Sequence, residues 1–339
     1  MLTHQYWTDY KLHKASYLTI AKCHLKGWSY NDWRVLGITN SKRNKYLSTQ
    51  EYAFLHPLNG SYSYWIDDKL TLKYVLNGTK AGVYMPDYYY EIMPNGRIVG
   101  LMDLAPQYKC STNDIAQLLR DKKMLAFKLV KGSLGAGFYQ AKYESGKYWL
   151  NGDQMDLDSF LIKISRLSGY LVTEYLLPHP EIAKLCSQSV GCLRYIIGRR
   201  LDGSLIDIYS FMRFGTSKSK FVENYNAGGV LAVIKDGKYN GGNVLDMDSM
   251  DNRVIDVHPD TGVVLQGEIP LWSIIKHAAH LIAETLPQMT YMGIDFCVTN
   301  QGKVKIIEIN SLSSLDAFQI EESIYETSGG EFFKERLIK

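Results

Sequence analysis

The chain has 339 residues, with 38 Lys and Arg against 35 Asp and Glu and a formal net charge of +3. This balance without a basic stripe argues against a nucleic-acid partner, and the lack of an apolar leader or of any run of about 18 apolar residues argues against stable membrane insertion. The five cysteines are odd in number and form no CxxC pair, which is typical of reduced thiols, so we expect a cytoplasmic globular protein whose oligomeric state is not specified.

Residues 1–58 are predicted to form a small helical module. Apolar residues recur at helical spacing from Leu12 to Cys23, and Gly27 ends the pattern. Nothing in this module has catalytic spacing. We therefore interpret it as a structural cap, and a partner-binding or substrate-lid role stays open.

Residues 59–122 mix predicted helices and strands, which indicates an α/β subdomain. Helices are expected over residues 70–76 and 112–122, and a strand over residues 85–90. Lys69 lies at the start of the first of these helices.

A glycine-rich loop lies between two predicted strands, residues 124–130 and 138–143. It consists of Lys131, Gly132, Ser133, Leu134, Gly135, Ala136 and Gly137. Glycines let backbone N–H groups approach a phosphate, but the loop lacks both the GK[ST] ending of a P-loop and a GxGxxG pattern. A phosphate-covering flap and an ordinary flexible hairpin both stay open. Lys128 favours the flap, because a Lys inside an apolar strand needs an anion, such as a nucleotide phosphate.

A predicted helix over residues 157–168 leads into a predicted strand over residues 169–175. The carboxylate of Glu174, with backbone groups of Tyr175 and Leu176, is suited to reading an adenine edge in an apolar slot. A carboxylate at the rim of the subdomain is the alternative.

Two further predicted strands, residues 190–200 and 206–214, carry Arg194 and Arg213 in apolar surroundings. Surface salt bridges are the usual role of a single Arg. Two Arg within strands, followed by the turn-like residues 223–229, favour planar recognition of a phosphate or a carboxylate.

A helix is predicted after Pro270, with an apolar face formed by Leu271, Ile274, Ile275, Ala278, Ile282 and Leu286. His277 and His280 lie three residues apart on its polar side. We interpret them as solvated histidines in preference to a metal-binding pair.

Residues 292–299 and 303–310 are predicted to form a β-hairpin around the turn Asn300-Gln301-Gly302. If Gln301 and Gly302 are the centre of the turn, Asp295 lies opposite Glu308, and Asn310 shares the face of Glu308. Facing carboxylates repel unless a cation lies between them, and these oxygen ligands favour Mg²⁺. An exposed hairpin with solvated acids is the alternative.

The order of these signals resembles the ATP-grasp superfamily, and most closely its sugar-transfer-associated branch, which is found with polysaccharide genes. The resemblance covers roughly residues 60–315, and the GIDF and IIEIN segments are its most specific part. It implies an α+β fold in which two α/β subdomains clamp ATP, with a small helical N-terminal module. The expected parts are the module (1–58), an N-terminal subdomain (59–122), a central subdomain with the flap (123–176), a C-terminal subdomain with the metal site (177–325) and a tail (326–339).

The resemblance also implies roles for individual residues. Lys128 contacts the α-phosphate, the glycine-rich loop covers the β- and γ-phosphates, and Glu174 to Leu176 form the adenine hinge. The implied nucleotide ligands are Lys69, Lys128, Lys131, Gly132, Ser133, Gly135, Gly137, Glu174, Tyr175, Leu176 and Glu181. Asp295, Glu308 and Asn310 hold Mg²⁺, Arg194 and Arg213 are catalytic, and the acceptor residues are Asn224, Gly228, Gly229, Ser311 and Ser313.

The function implied is an ATP- and Mg²⁺-dependent carboxylate–amine ligase that forms an acylphosphate, in polysaccharide or small-metabolite modification. Its partners are a small-molecule carboxylate and an amine, neither of which the residues name. A small-molecule or sugar kinase and a nucleotide-binding scaffold without turnover are the alternatives.

Overall fold

The structure is a computed structural model of the chain. It describes residues 7–11, 15–132, 137–186, 189–219, 223, 225–246, 251–313, 315 and 317–337. The chain divides into two compact units, one formed by residues 67–177 and the other by residues 1–66 together with residues 178–339.

The unit of residues 67–177 is built on one antiparallel sheet of seven described strands. They are β1 (Tyr88–Ile92), β2 (Ile98–Gly100), β3 (Met124–Leu129), β4 (Tyr139–Glu144), β5 (Lys147–Leu150), β6 (Asp153–Met155) and β7 (Tyr170–Glu174). Their order in the sheet is β2-β1-β7-β3-β4-β5-β6. The strand that carries Lys128 therefore lies beside the strand that ends at Glu174.

Helices of this unit begin where side-chain caps satisfy their first backbone N–H groups. They span Lys69–Leu76, Thr112–Lys122 and Leu157–Ser165, and a 3₁₀ helix spans Lys80–Tyr84. Asp68, Ser111 and Asp156 are the N-caps of the three α-helices. Ile115, Ala116, Leu118 and Leu119 form a buried face that packs in one core with the strand residues Leu125 and Phe127.

The other unit contains a second antiparallel sheet of seven described strands and a two-stranded ribbon. They are β8 (Cys192–Arg199), β9 (Leu205–Phe214), β10 (Val230–Val233), β11 (Lys238–Asn240), β12 (Gly242–Leu245), β13 (Asn252–Ile255), β14 (Gln266–Glu268), β15 (Tyr291–Val298) and β16 (Val304–Asn310). The sheet order is β13-β12-β10-β9-β8-β15-β16, and β11 pairs with β14. Strands β9, β8, β15 and β16 are thus consecutive neighbours.

The helices of this unit come from the N-terminal, middle and C-terminal parts of the chain. They span Tyr17–His24, Tyr30–Val35, Thr49–Leu55, Tyr64–Asp67 (which ends at the boundary of the units), Pro180–Ala183, Trp272–Thr285 and Glu331–Leu337, with 3₁₀ helices at Arg43–Lys45, Gly60–Ser63, Tyr225–Ala227, Ile324–Glu326 and Ser328–Gly330. Tyr52 near the N-terminus, Phe211 on β9 and the C-terminal Phe332 and Phe333 belong to one buried cluster. Burial of apolar surface therefore joins the N-terminal module to the sheet.

Most predicted elements agree with the structure, and the differences are at their ends. The helix over Thr112–Lys122 begins and ends as predicted, with Ser111 as its cap. The strand predicted over residues 85–90 begins only at Tyr88, and the helix predicted over residues 157–168 ends at Ser165. The described part of the N-terminal module is helical, as expected.

The subdomain boundaries differ from those expected. A division at residues 122 and 123 would split one sheet, because β7 pairs with both β1 and β3. The expected C-terminal tail is also incorrect, because Phe332 and Phe333 are fully buried. These residues complete the core of the unit that contains the N-terminal module.

The helix after Pro270 corrects a smaller expectation. It spans Trp272–Thr285, and Ile274, expected on its apolar face, is 41% exposed. His277 is exposed, whereas His280 Nε2 lies 2.7 Å from Asp207 Oδ1. His280 therefore has a hydrogen-bond partner on the sheet and is not simply solvated.

No helix within the described ranges is long and apolar enough to cross a membrane. All five cysteines are free thiols, and Cys110 alone among them is exposed.

Candidate functional site

The β15–β16 hairpin brings Asp295 opposite Glu308 and Gly293 opposite Asn310. The predicted Asp295–Glu308 pairing is confirmed, but the predicted turn register is wrong by one residue. Phe296 pairs with Ile306, whereas the next residue, Asp295, pairs with Glu308. Ile307 is therefore left over as the extra residue of a β-bulge. Without this bulge, Asp295 would lie opposite Ile307.

Asp295 is the buried centre of an ion-pair cluster. It is 1% exposed and lies directly opposite Arg194 on the neighbouring strand β8. Arg194 Nε donates to Oδ1 of Asp295, and Arg194 Nη2 donates to Oδ2 at 2.7 Å. Arg213 Nη2 on β9 donates to the same Oδ2 at 2.7 Å. Burial alone would raise the pKa of Asp295, but the two arginines outweigh it and lower that pKa to about 2.

Two guanidinium groups against one carboxylate leave this trio with one net positive charge. Arg213 has the more accessible side chain, 20% exposed against 8% for Arg194. Arg213 Nη2 also donates to Cys192 Sγ at 2.9 Å, whereas Arg213 Nε is buried and has no hydrogen-bond partner among the described residues. A buried N–H group without an acceptor favours an anionic ligand at Arg213.

Cys192 and Glu223 are the other titratable groups next to Arg213. Burial raises the pKa of the Cys192 thiol well above its usual range, despite the opposing charge of Arg213. Burial also raises the pKa of Glu223, against the effects of Ser189 and Arg213. For both groups, burial opposes the charged form and the positive charge of Arg213 favours it.

Ser313 and Gly293 complete the surroundings of Arg194. Arg194 Nη1 donates to Ser313 Oγ at 3.2 Å, and Ser313 is 2% exposed. A Cβ atom on Gly293 would lie 2.1 Å from Ser313 Oγ and 3.0 Å from Arg194 Cδ. Only glycine fits this close approach, so Gly293 of the GIDF segment has a steric role that no local sequence pattern indicates.

Glu308 and Asn310 fit the requirements of a magnesium ligand pair. Asn310 Nδ2 donates to Glu308 Oε1 at 3.2 Å, so their oxygens share one face of β16. Asp295 fits less well, because its Oδ2 already accepts two N–H groups and its Oδ1 accepts one. Among the described residues, no group of three or more His, Cys, Asp or Glu side chains could hold a metal ion.

In the unit of residues 67–177, Lys69 supports the glycine-rich loop. Lys69 is 8% exposed, and its Nζ donates to the carbonyl oxygen of Gly132 at 2.7 Å. Lys128 is half-buried on β3, Lys131 is exposed, and Ser133 and Gly135 lie outside the described residues. Lys69 thus binds the backbone at the start of the loop, where a phosphate contact was expected.

Gly137 ends the loop in a conformation that needs glycine. Its φ is +70°, and a Cβ atom there would lie 2.7 Å from the hydroxyl of Tyr170. The loop therefore rejoins β4 through a position that other residues would strain.

Glu174 and its neighbours have local partners at the end of β7. The backbone N–H of Asp87 donates to Glu174 Oε2 at 3.2 Å, and the N–H of Glu174 donates to the Asp87 carbonyl at 2.8 Å. Gln140 Nε2 donates to the Tyr175 hydroxyl at 2.6 Å, and Leu176 is 6% exposed. Glu174 therefore joins two strand ends, a role compatible with a hinge.

Glu181 belongs to the other unit, where it is exposed and both of its oxygens lie 2.7 Å from Lys184 Nζ. Its ion pair explains its position without a nucleotide. The predicted ribose contact therefore stays a prediction.

The predicted acceptor residues lie around two segments of the larger unit. Gly228 is buried, and its carbonyl oxygen accepts from Thr216 Oγ1 at 2.7 Å. Gly229 and Ser313 are buried and Ser311 is half-buried, whereas Asn224 lies outside the described residues. Ser313 has a direct contact to Arg194.

Residues 50–328 match the family model described as sugar-transfer associated ATP-grasp. Since this match takes in most of the chain, the protein belongs to the sugar-transfer-associated ATP-grasp family. The α+β fold predicted from the resemblance is the fold observed. Comparison with curated proteins gives no significant sequence match.

Solved structures that match the chain at low sequence identity include ligases. D-alanyl-alanine synthetase A from Vibrio cholerae has 13% identity and a TM-score of 0.44, over 85% of this chain and 70% of that one. N5-carboxyaminoimidazole ribonucleotide synthetase from Thermotoga maritima has 12% identity and a TM-score of 0.40, over 80% of this chain and 50% of that one. ATP-grasp ligase PsnB, with a phosphomimetic variant of its minimal precursor, Mg and ADP, has 11% identity and a TM-score of 0.41, over 82% and 59%. The chain therefore spans about half of the Thermotoga protein.

Proposed function

We propose that the protein is an ATP- and Mg²⁺-dependent carboxylate–amine ligase that acts through an acylphosphate. The observation that carries this proposal is the trio around the buried Asp295, formed with Arg194 and Arg213, which has a net positive charge. In the described part of the chain, Arg213 Nε has no hydrogen-bond partner. An anion such as a transferring phosphoryl group would neutralise that charge and accept that N–H. Family membership makes ATP the expected source of the phosphoryl group.

The nucleotide is assigned to the predicted residues of the 67–177 unit. Lys128 and the backbone of the glycine-rich loop bind the phosphates, and Glu174 to Leu176 bind the adenine edge. Lys69 acts indirectly, because its bond to the Gly132 carbonyl holds the start of the loop. A buried ammonium that already donates to a carbonyl favours this supporting role over a free phosphate contact.

The side chains that would bind Mg²⁺ are assigned to the β15–β16 hairpin. Glu308 and Asn310 would hold Mg²⁺, with Asp295 contributing through Oδ1, the less occupied of its two oxygens. When bound, Mg²⁺ supplies positive charge that neutralises terminal phosphate oxygens. Asp295 also orients both guanidinium groups, because each donates to its carboxylate.

The reaction proceeds in two displacements. A carboxylate oxygen of the first substrate attacks the γ-phosphorus, the bond to the β-phosphate oxygen breaks, and ADP leaves. The amine nitrogen of the second substrate then attacks the acyl carbon, inorganic phosphate leaves and the nitrogen loses a proton. Arg213 binds the transferring phosphoryl group and the acylphosphate, and Arg194 fixes Asp295 and Ser313 beside it.

The test is a screen of amino acids, uronic acids and amino sugars for ADP release, followed by mass spectrometry of the product. A ligase releases ADP and free phosphate only when a carboxylate and an amine are both present, and it yields their condensation product. A product that gains a phosphoryl group would indicate a kinase, and ATP binding without turnover would indicate a scaffold. Either outcome overturns the ligase proposal.

A matched pair of variants tests the assignment of Arg213. Arg213→Lys removes the planar set of N–H donors and is expected to lower kcat by a factor of about 10²–10³. Arg253→Lys is the control, because Arg253 is 71% exposed on β13 and pairs with Asp246. Equal activity of the two variants would contradict the role of Arg213.

A further inference from the structure

Tyr52, in the N-terminal helix Thr49–Leu55, reaches the segment that follows β16. Its hydroxyl donates to the backbone carbonyl oxygen of Ser313, 261 positions away in the sequence. Tyr52 is 9% exposed, and its ring packs against His56 and Phe318 at centroid distances of 4.2 and 6.2 Å. The ring is thus held by packing, and the hydroxyl direction is fixed.

Ser313 links this contact to the arginine cluster. While its carbonyl accepts from Tyr52, its Oγ accepts from Arg194 Nη1 at 3.2 Å. The other donors of Arg194, Nε and Nη2, bind Asp295. A shift of Ser313 would therefore release one of the three nitrogens that orient the Arg194 guanidinium.

The same segment is tied to the N-terminal module at a second point. Gln319 is fully buried, and its side chain accepts from the N–H of Leu47 at 2.8 Å and donates to the Leu47 carbonyl at 3.0 Å. Asn59, the first residue after the module, similarly bonds the backbone of Tyr291 at the start of β15. The module thus holds the segment after β16, and the residue that directly follows the module holds the strand that carries Asp295.

We propose that Tyr52 is a positioning residue for phosphoryl transfer, which fixes Ser313 and, through it, Arg194 in the anion-binding arrangement. This inference rests on the proposed function. It assigns the N-terminal module to the site as its support, in place of a remote structural cap. Tyr52 acts through Ser313 and touches no reacting atom.

The test measures inorganic phosphate binding to the full chain loaded with ADP and Mg²⁺, by isothermal titration calorimetry. Tyr52→Phe keeps the packed ring and removes the hydroxyl. It is expected to weaken phosphate binding about five- to tenfold, the factor expected for one lost hydrogen bond, with ADP affinity within about twofold of wild type. Tyr325→Phe is the matched control, since Tyr325 packs against the same core, and it is expected to change neither affinity.

A double-mutant cycle separates positioning from general destabilisation. Ser313→Ala removes the Oγ contact to Arg194 and should weaken phosphate binding to a similar extent. If Tyr52 acts through Ser313, Tyr52→Phe combined with Ser313→Ala binds phosphate no worse than either single variant. The inference would be overturned if the two losses of phosphate affinity multiply in the double variant. It would also be overturned if Tyr52→Phe binds phosphate as tightly as wild type.

The control for the proposed function is the wild-type chain itself. If it binds ADP but no phosphate, the positioning role is wrong while the nucleotide site stands. If it binds no ADP, the proposed function is wrong. Phosphate is then titrated without nucleotide into wild type and the same variants, and the comparison of their phosphate affinities decides whether Tyr52 positions the anion site.

Discussion

Arg194 and Asp295 face each other on the adjacent strands β8 and β15, and their side chains meet in a two-point salt bridge. Arg213 adds a third N–H donor to the same carboxylate. In the described part of the site, Asp295 is therefore the counter-ion of two arginines as well as a candidate metal ligand. Glu308 lies directly across the hairpin and accepts from Asn310 Nδ2.

Asp295→Asn is expected to lower stability as well as activity. The amide keeps the shape of the side chain but leaves two guanidinium groups at a buried position without a negative charge. Removing one partner of a buried ion pair typically costs about 3–5 kcal/mol, so we expect a loss of that order in the free energy of unfolding measured with urea. Asp202→Asn, in the exposed turn before β9, is the control. An unchanged unfolding midpoint in Asp295→Asn would contradict the counter-ion role.

Glu308→Gln is expected to affect catalysis and not folding. Its side chain lies opposite Asp295 and bonds to Asn310, so the amide keeps the shape but loses the charge that binds a hard cation. We expect the rate of ADP release to fall by a factor of about 10²–10³ and the Mg²⁺ concentration that gives half of the maximal rate to rise. The measurement is a Mg²⁺ titration of the rate beside a urea unfolding curve. A Mg²⁺ dependence equal to that of wild type would argue against Glu308 as a ligand.

Local signals in the sequence predicted the elements better than their contacts. The helix Thr112–Lys122 was predictable because its cap, Ser111, and its apolar spacing lie within a few residues. The pairing of Asp295 with Glu308 depends on a bulge at Ile307, for which the hairpin pattern contains no signal. The prediction was correct because the error in the turn register and the bulge cancel.

Contacts between strands and helices that are distant in the sequence could not be predicted from local sequence patterns. Arg194 and Arg213 were predicted to act together, but their shared partner Asp295 depends on the order β9-β8-β15, which no local pattern encodes. Tyr52 bonds to a carbonyl 261 positions away, and a tyrosine at helical spacing resembles any other core residue. Such residues are identified only when the fold brings both ends of the chain together.

Gly293→Ala tests the close approach beside Arg194. The added methyl would lie 2.1 Å from Ser313 Oγ, so Ser313 or Arg194 must move. Overpacking of this kind costs about 1–3 kcal/mol, and we expect that loss in urea unfolding together with weaker phosphate binding. Gly293→Ala combined with Ser313→Ala should recover part of the stability, because the clashing oxygen is absent. A double variant less stable than Gly293→Ala would show that the clash lies elsewhere.

His56 is expected to make stability depend on pH. Burial lowers its pKa to about 4, and neither ring nitrogen has a hydrogen-bond partner among the described residues. The unfolded chain, with an ordinary His pKa of about 6.5, therefore binds the proton more tightly. The stabilisation is complete above pH about 6.5 and is lost as the pH falls towards 4, by about 2 kcal/mol once screening of this partly buried ring is allowed for.

His56→Phe should remove that dependence, since a phenyl ring keeps the packing against Tyr52 and Tyr291 without titrating. Urea unfolding at pH 7.5 and pH 5 gives the measurement. We expect the difference in stability between His56→Phe and wild type to shift in favour of the variant at the lower pH. His277→Gln, at an exposed position of the helix Trp272–Thr285, is the control and should follow wild type at both pH values. Parallel pH profiles for His56→Phe and wild type would exclude His56 as the source of the dependence.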